Sequence, residues 1–226
     1  MEAMVSKLSI ASPDPWTAYI DSSLVWGPLD GLPLRPSARV LDVGSGDGRI
    51  LKGLRGQGFR ATGIELQAGP GTDVVGRAEA LPFPDETFDL VLLILVLMHI
   101  REASRALSEV FRVTKRGGHA LFAVGNRRSF TGLALREMSP RFLLRKIPYD
   151  HYLSYSEAEL RSALRAAGFQ PQSLRAVTYI PRVVGKAPRS ILKGLIPILR
   201  RAEETVSRLP LLGKAGVRLV AVAERA

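Results

Sequence analysis

A run of apolar and β-branched residues that breaks into glycine at every second position restricts this chain more than any other feature. It reads Val40-Leu41-Asp42-Val43-Gly44-Ser45-Gly46-Asp47-Gly48-Arg49. The run has strand character, the turn after it is of a kind glycine enters easily, and a helix follows. Glycines without a Cβ let the backbone come close to a ligand, and a helix start presents unpaired N–H groups to polar atoms. The spacing is G-x-G-x-G. A dinucleotide fingerprint beginning at Gly44 needs glycine where Arg49 stands, which disfavours a pyrophosphate ligand.

The segments around this turn alternate in the manner of an α/β fold with a parallel sheet. Strands are expected at Ala38 to Val43, Arg60 to Ile64, Asp73 to Gly76, Phe88 to Leu95 and Gly118 to Val124. Glu102 to Val113 reads as a crossover helix, because Ala106, Leu107, Val110 and Phe111 recur at spacings of three and four. Beyond Val124 the pattern changes. Ser129 to Ile147 mixes Phe130, Leu133 and Met138 with Arg136, Arg141 and Lys146, and Pro140 divides it, as expected of an inserted helical cap. A helix starts at Ser156, with Glu159 completing a capping box, and stops at Gly168. Gln172 to Ile180 and Val217 to Ala223 read as two closing strands, joined by about 35 residues, longer than connections normally run. Within that connection Ile191, Leu192, Leu195, Ile196, Ile198 and Leu199 accompany Arg189, Lys193, Arg200 and Arg201. The pattern is a basic amphipathic helix kinked at Pro197, with packing into the core as the plainer alternative.

Composition narrows the function classes. With 226 residues, 46% of them apolar and 23% charged, the chain has the make-up of a folded domain with a sizeable core. It contains no cysteine, hence no thiol nucleophile and no thiolate metal site, and a cytoplasmic location is the default expectation. Met1 to Pro13 lacks the apolar stretch of a secretion signal, and the longest apolar run, Leu90 to Met98, is far too short to span a membrane. Charge is unevenly distributed. Residues 1–100 hold 8 Lys+Arg against 12 Asp+Glu, whereas residues 101–226 hold 24 against 9. The basic half suits nucleic acid, an anionic membrane or an acidic substrate, or is simply a soluble arginine-rich face.

Glu65 stands seventeen residues beyond Gly48, at the expected end of the second strand. A carboxylate there can accept both hydroxyl hydrogens of a ribose, which points to a nucleoside without need of phosphate. An exposed loop acid is the alternative for Glu65 taken alone. Three scattered histidines without a paired acid motif do not make a metal site.

Taken together the sequence resembles the class I S-adenosylmethionine-dependent methyltransferases, in particular the ubiquinone/menaquinone-type subgroup. Four pieces carry the resemblance, in order: Leu41 to Gly48; Gly63-Ile64-Glu65; Gly76-Arg77-Ala78-Glu79-Ala80-Leu81-Pro82-Phe83-Pro84 through Asp89; and Leu97-Met98-His99 followed by Arg112 to Gly118. It implies a Rossmann-like, doubly wound, mostly parallel seven-stranded sheet with the last strand antiparallel, plus an inserted helical cap. One domain would fill residues 1–226: a helical cover over 1–35, a cofactor-binding core over 36–126, and cap insertions at 127–150 and 181–215. S-adenosyl-L-methionine is the implied cofactor. Asp42, with Gly44, Ser45, Gly46 and Gly48, would hold its amino-acid end, Glu65 the ribose, and Leu66 the adenine face, with Ala78 and Glu79 at the adenine edge. Tyr19, in the N-terminal segment that commonly covers the cofactor, is a further contact candidate. Arg77 departs from the family, which often has aspartate there; arginine has no acceptor for the adenine amino group, so Glu79 substitutes or backbone and apolar contacts suffice.

The resemblance implies in-line methyl transfer, in which alignment does most of the work. His99 and His151 are the candidate bases for O- or C-methylation, each with a packing or solvent-exposed alternative. The greasy and basic insertions suggest a small lipophilic or anionic acceptor and peripheral contact with an anionic membrane at its inner face. The alternatives are an RNA-directed methyltransferase or RNA-binding protein, and a non-catalytic binder of the cofactor. Nucleic acid is disfavoured because the basic residues are interleaved with aliphatic ones instead of aromatic stacking platforms. The sequence leaves the oligomeric state open.

Overall fold

The structure is a computed structural model, described over residues 14–129, 154–179, 182–207, 209 and 212–226. Its eight strands are β1 (Arg39–Val43), β2 (Arg60–Glu65), β3 (Val74–Val75), β4 (Phe88–Ile94), β5 (Thr114–Asn126), β6 (Ser154–Tyr155), β7 (Gln170–Val177) and β8 (Arg218–Glu224). They form one sheet in the order β3-β2-β1-β4-β5-β8-β7. Pairing is parallel from β3 through β5, and β8 runs antiparallel between β5 and β7. Among the described residues the main path has the seven strands expected, and an eighth lies beside it. The added one, β6, is two residues long and pairs with the end of β5 off the main path, too short to leave a periodic trace in sequence.

The strand order reverses at β1 and β4, and in open α/β sheets the crevice beyond the strand ends at such a point takes the ligand. Both faces of the central strands are covered, which is why they read as unbroken apolar runs. On one face Leu41, Val43, Val91, Leu93, Phe122 and Val124 pack against α3 (Ala103–Val113) and α4 (Glu157–Ala166) through Leu107, Val110, Leu160 and Leu164. On the other, Val40, Leu90, Leu92 and Leu121 meet α2 (Arg49–Gly56) through Ile50, Leu51 and Leu54. The N-terminal cover adds to this second layer. Its α1 (Pro15–Asp21), capped by Asp14, continues through a π turn (Ser22–Trp26) whose Leu24, Val25 and Trp26 are buried.

Helix α4 has the expected capping box between Ser156 and Glu159. β5 begins at Thr114, four residues before the sequence suggests, because Thr114 pairs with Phe88 ahead of a register shift and the ladder resumes at Leu90 and His119. The basic segment forms α5 (Arg189–Ser207), which contains Pro197. Its Leu192 and Ile196 are buried against Trp16, Tyr19 and Ile20, so the packing role weighed against a surface role applies to one of its faces. Most of the cap expected at 127–150 lies outside the described residues.

Candidate active site

The loop between β1 and α2 is built by close backbone contact. Gly44, Gly46 and Gly48 have φ of 75°, 54° and 74°, in the left-handed region that side chains disfavour. A Cβ on Gly44 would lie 2.2 Å from Val96 Cγ2, and one on Gly48 would lie 2.8 Å from the Gly71 Cα. The third glycine thus serves packing against the 69–71 loop. Ser45 does the same: it is buried, and its hydroxyl donates to the Gly71 carbonyl.

Where the loop's N–H groups go decides what it can bind. Gly44 and Ser45 donate to the Ile64 carbonyl at 2.8 and 3.4 Å, and Gly48 donates to the Ser45 carbonyl at 2.9 Å. Gly46 donates to Glu65 Oε1 at 3.0 Å, and Arg49 donates its backbone N–H to Asp47 Oδ1 at 3.2 Å. The N–H groups of Gly44, Ser45, Gly46 and Gly48 are thus spent within the protein, and the carboxylates of Glu65 and Asp47 flank the loop. The helix that follows has no side-chain cap at Gly48, and of its first-turn donors the Arg49 N–H turns back to Asp47. An acid-rimmed loop favours a cationic ligand.

Asp42 sharpens that preference. It is 1% exposed, and its Oδ2 is buried without a hydrogen-bond partner, a costly state for a carboxyl. Burial pushes it up to about 7; Arg49 counters this, while Glu65 and Asp47 add to it. Arg49 is itself held by Asp21 of α1, a 5%-exposed acid, through Nε at 3.0 Å and Nη2 at 3.0 Å, and more loosely by Asp47. This clasp joins the N-terminal cover to the glycine loop.

Beside the loop lies a crevice of about 280 Å³ lined by Gly44, Glu65, Leu66, Ala78, Glu79 and Val96, with Val43, Ile64, Gly76, Arg77, His99 and Ile100. Glu65 Oε2 accepts from the Leu66 N–H at 3.0 Å, so the carboxylate is anchored by two backbone donors and keeps further lone pairs for a diol. Leu66 stands 60% exposed and offers an apolar surface to the crevice. Ala78 is buried, and Glu79 lies 3.5 Å from the Arg77 guanidinium. An orphaned acid for an ammonium, an anchored acid for a diol and an apolar slot for a flat ring suit an adenosine joined to an amino acid.

A second cavity, of about 380 Å³, opens at the same edge of the sheet. Trp16, Ile20, Leu24 and Leu95 form its apolar wall, and Asp47, Arg49, Thr178 and Arg218 its polar one. Leu95 and Thr178 have φ of 62° and 57°, two of four non-glycine residues in this region among the described ones. Backbone strain of this kind costs about 1–3 kcal/mol per residue and gathers at functional sites.

Of the residues singled out from sequence, Asp42, Gly44, Gly46, Glu65, Leu66, Ala78 and Glu79 are brought together around the loop and crevice. Tyr19 is not. It is 1% exposed, packs on Leu192 and Ile196, and donates its hydroxyl to Glu203, so α5 takes the place assigned to a cofactor. His99 ends a 3-10 turn (Leu97–His99) after β4 and lines the crevice, not the second cavity. His151 lies outside the described residues. Sequence reasoning missed Val96, Asp21 and the wall of the second cavity. Arg49 was in view within the glycine run, but nothing in sequence paired it with Asp21.

Comparison with known proteins adds an independent line. The methyltransferase domain family matches residues 27–174. The chain is 31% identical over 130 residues to a demethylmenaquinone methyltransferase of Renibacterium salmoninarum, covering 53% of this chain and 54% of that one. It is 28% identical over 164 residues to a ubiquinone biosynthesis O-methyltransferase of Pseudomonas entomophila, covering 63% of this chain and 69% of the relative. It thus spans about half the length of the first relative. In fold it is similar to a chain of the complex between the Haloferax volcanii Trm112 methyltransferase activator and a methyltransferase, with a TM-score of 0.62 at 19% identity, covering 94% and 93% of the two chains.

Proposed function

We propose that this chain, which belongs to the methyltransferase domain family, is an S-adenosylmethionine-dependent methyltransferase that methylates a small lipophilic acceptor, a quinol- or phenol-type ring, on oxygen or carbon. When bound, the cofactor supplies a methyl group made electrophilic by a sulfonium.

The protein's part is binding and alignment, which in well-oriented systems contributes about 7–11 kcal/mol toward the barrier. In this reading Asp42 takes the cofactor's ammonium, Glu65 the ribose diol, and Leu66 with Ala78 the adenine. Arg77 and Glu79 pair with each other, leaving adenine to backbone and apolar contacts. The acceptor occupies the cavity behind Trp16, Ile20, Leu24 and Leu95, across the glycine loop from the crevice. The observation that carries the acceptor assignment is that wall: a planar apolar ring buries against an indole and three aliphatic side chains. Names carried by the quinone-related relatives support the same class. His99 shapes the cofactor crevice in this account, because it stands on that side.

The test uses labelled methyl donor with lipid, aqueous and RNA fractions of a cell extract. Label recovered as one added methyl on an organic-soluble ring compound is the expected result. Trp16→Ala should then raise the acceptor KM while leaving affinity for S-adenosylhomocysteine unchanged. Label confined to RNA, or a Trp16→Ala enzyme with unaltered acceptor KM, overturns the proposal.

A further inference from the structure

Helix α5 carries apolar residues on two faces, and packing accounts for one. Leu192 and Ile196, with Leu199, turn inward onto Trp16, Tyr19 and Ile20. Ile191 and Ile198 lie two turns apart on a flank about 100° from that face and stand 54% and 66% exposed, with Gly194 and Pro197 exposed between them. An exposed isoleucine alone is unremarkable in a soluble protein, but a repeat at seven residues makes a stripe. Charge frames it. From Lys186 to Arg201 the sequence holds Lys186, Arg189, Lys193, Arg200 and Arg201 and no acid, and all five are exposed. Of the helix's acids, Glu203 is half-buried, accepting from the Tyr19 hydroxyl and the Tyr179 N–H.

We propose that the outer face of α5 docks on an anionic lipid bilayer. The helix would lie in the plane of the interface, with Ile191 and Ile198 at the acyl boundary and the cations among the headgroups. Three occupants compete for such a face, and the observations separate them. A second copy of this chain, placed by a two-fold axis, opposes five cations with five cations. A nucleic-acid strand calls for aromatic platforms on which bases stack, and the outer face of α5 offers aliphatic side chains instead. An anionic bilayer satisfies both the charge and the isoleucines.

The placement also gives docking a purpose. Trp16 and Ile20 touch the inner face of α5 and line the second cavity. The membrane would therefore lie one helix layer from the site assigned to a lipophilic acceptor. This purpose rests on the function proposed above; the docking itself does not.

The experiment is co-sedimentation of the full chain with phosphatidylcholine vesicles, with and without phosphatidylglycerol. The wild type should bind the anionic vesicles at least about tenfold tighter, since each cation near such a surface contributes about 1 kcal/mol. Added salt should weaken this binding. Ile191→Ser with Ile198→Ser should lower it by at least about tenfold, the loss expected from two withdrawn apolar side chains. Arg189→Gln with Lys193→Gln should lower the affinity for anionic vesicles by at least about tenfold. S-adenosylhomocysteine binding, measured on the same samples, should be unchanged in both variants because none of these residues is near the crevice. Equal binding to both vesicle types, full binding by the double-serine variant, or RNA binding in place of vesicle binding overturns the proposal. Lost cofactor binding in the wild type with vesicle binding intact would count against the methyltransferase reading alone.

Discussion

Replacing Asp42 with asparagine should stabilise the free protein at alkaline pH while removing its hold on the cofactor. Asp42 is buried, its Oδ2 has no partner, and its pKa is raised from 3.8 to about 7. A carboxyl raised on folding penalises the folded state increasingly as pH climbs from the unfolded value to the folded one, and the penalty is complete above the latter. By linkage, the penalty is about 1.5 kcal/mol at pH 5 and about 4 kcal/mol at pH 8. Asparagine does not ionise, so it escapes this dependence, although its buried amide costs about 1–3 kcal/mol at every pH. That constant cost cancels when two pH values are compared. The stability of Asp42→Asn relative to wild type should therefore grow by about 2–3 kcal/mol between pH 5 and pH 8. For a chain of this size that is about 5–10 °C in Tm. Thermal unfolding of both proteins at the two pH values measures it, and calorimetry with S-adenosylhomocysteine should show binding lost in the variant. A Tm difference that is the same at pH 5 and pH 8 refutes the electrostatic reasoning, and retained cofactor affinity refutes the role of the carboxylate.

Other consequences follow from the same geometry. Wild-type affinity for S-adenosylhomocysteine should fall about tenfold between pH 8 and pH 6, as Asp42 takes up a proton and ceases to pair with an ammonium; Arg49→Gln, by removing the countering cation, should move that decline to higher pH. Gly44→Ala places a Cβ 2.2 Å from Val96 Cγ2 at a φ of 75°, and should lower Tm and cofactor affinity together; Val96→Ala in the same chain should recover part of the loss, because it removes the colliding methyl but not the backbone strain. Asp21→Asn should cost about 1–2 kcal/mol, less than a fully buried pair because Arg49 is half exposed and keeps Asp47, and chemical denaturation measures it.

The parts of this molecule that sequence reveals are those whose cause is local. β1, the glycine turn and Glu65 are legible because a strand period, a positive φ and a carboxylate at a strand end each leave a mark within a few residues. The capping box at Ser156 and Glu159 is legible for the same reason. What escaped depends on partners far apart in the chain. Tyr19 reads as a candidate contact for a ligand until its hydroxyl meets Glu203, 184 residues away. Asp21 gains its meaning from Arg49, 28 residues on, and the second cavity draws its wall from α1, the end of β4 and the start of β8. Ser45 and Gly48 belong to the right motif but face the 69–71 loop. The two-residue β6 pairs only because β5 runs on to Asn126, which no periodicity announces.

The central claim is that one loop and one acid, Gly44 to Gly48 and Glu65, hold a single adenosine. Calorimetric titration of S-adenosylhomocysteine into wild type, Glu65→Gln and Glu65→Ala tests it directly, with circular dichroism to confirm that each chain is folded. The account predicts micromolar binding by wild type and at least about a thirtyfold loss in both variants, since hydrogen bonds to a charged group contribute about 1.5–3 kcal/mol each. Folded variants that bind as tightly as wild type, or a wild type that does not bind at all, would contradict it.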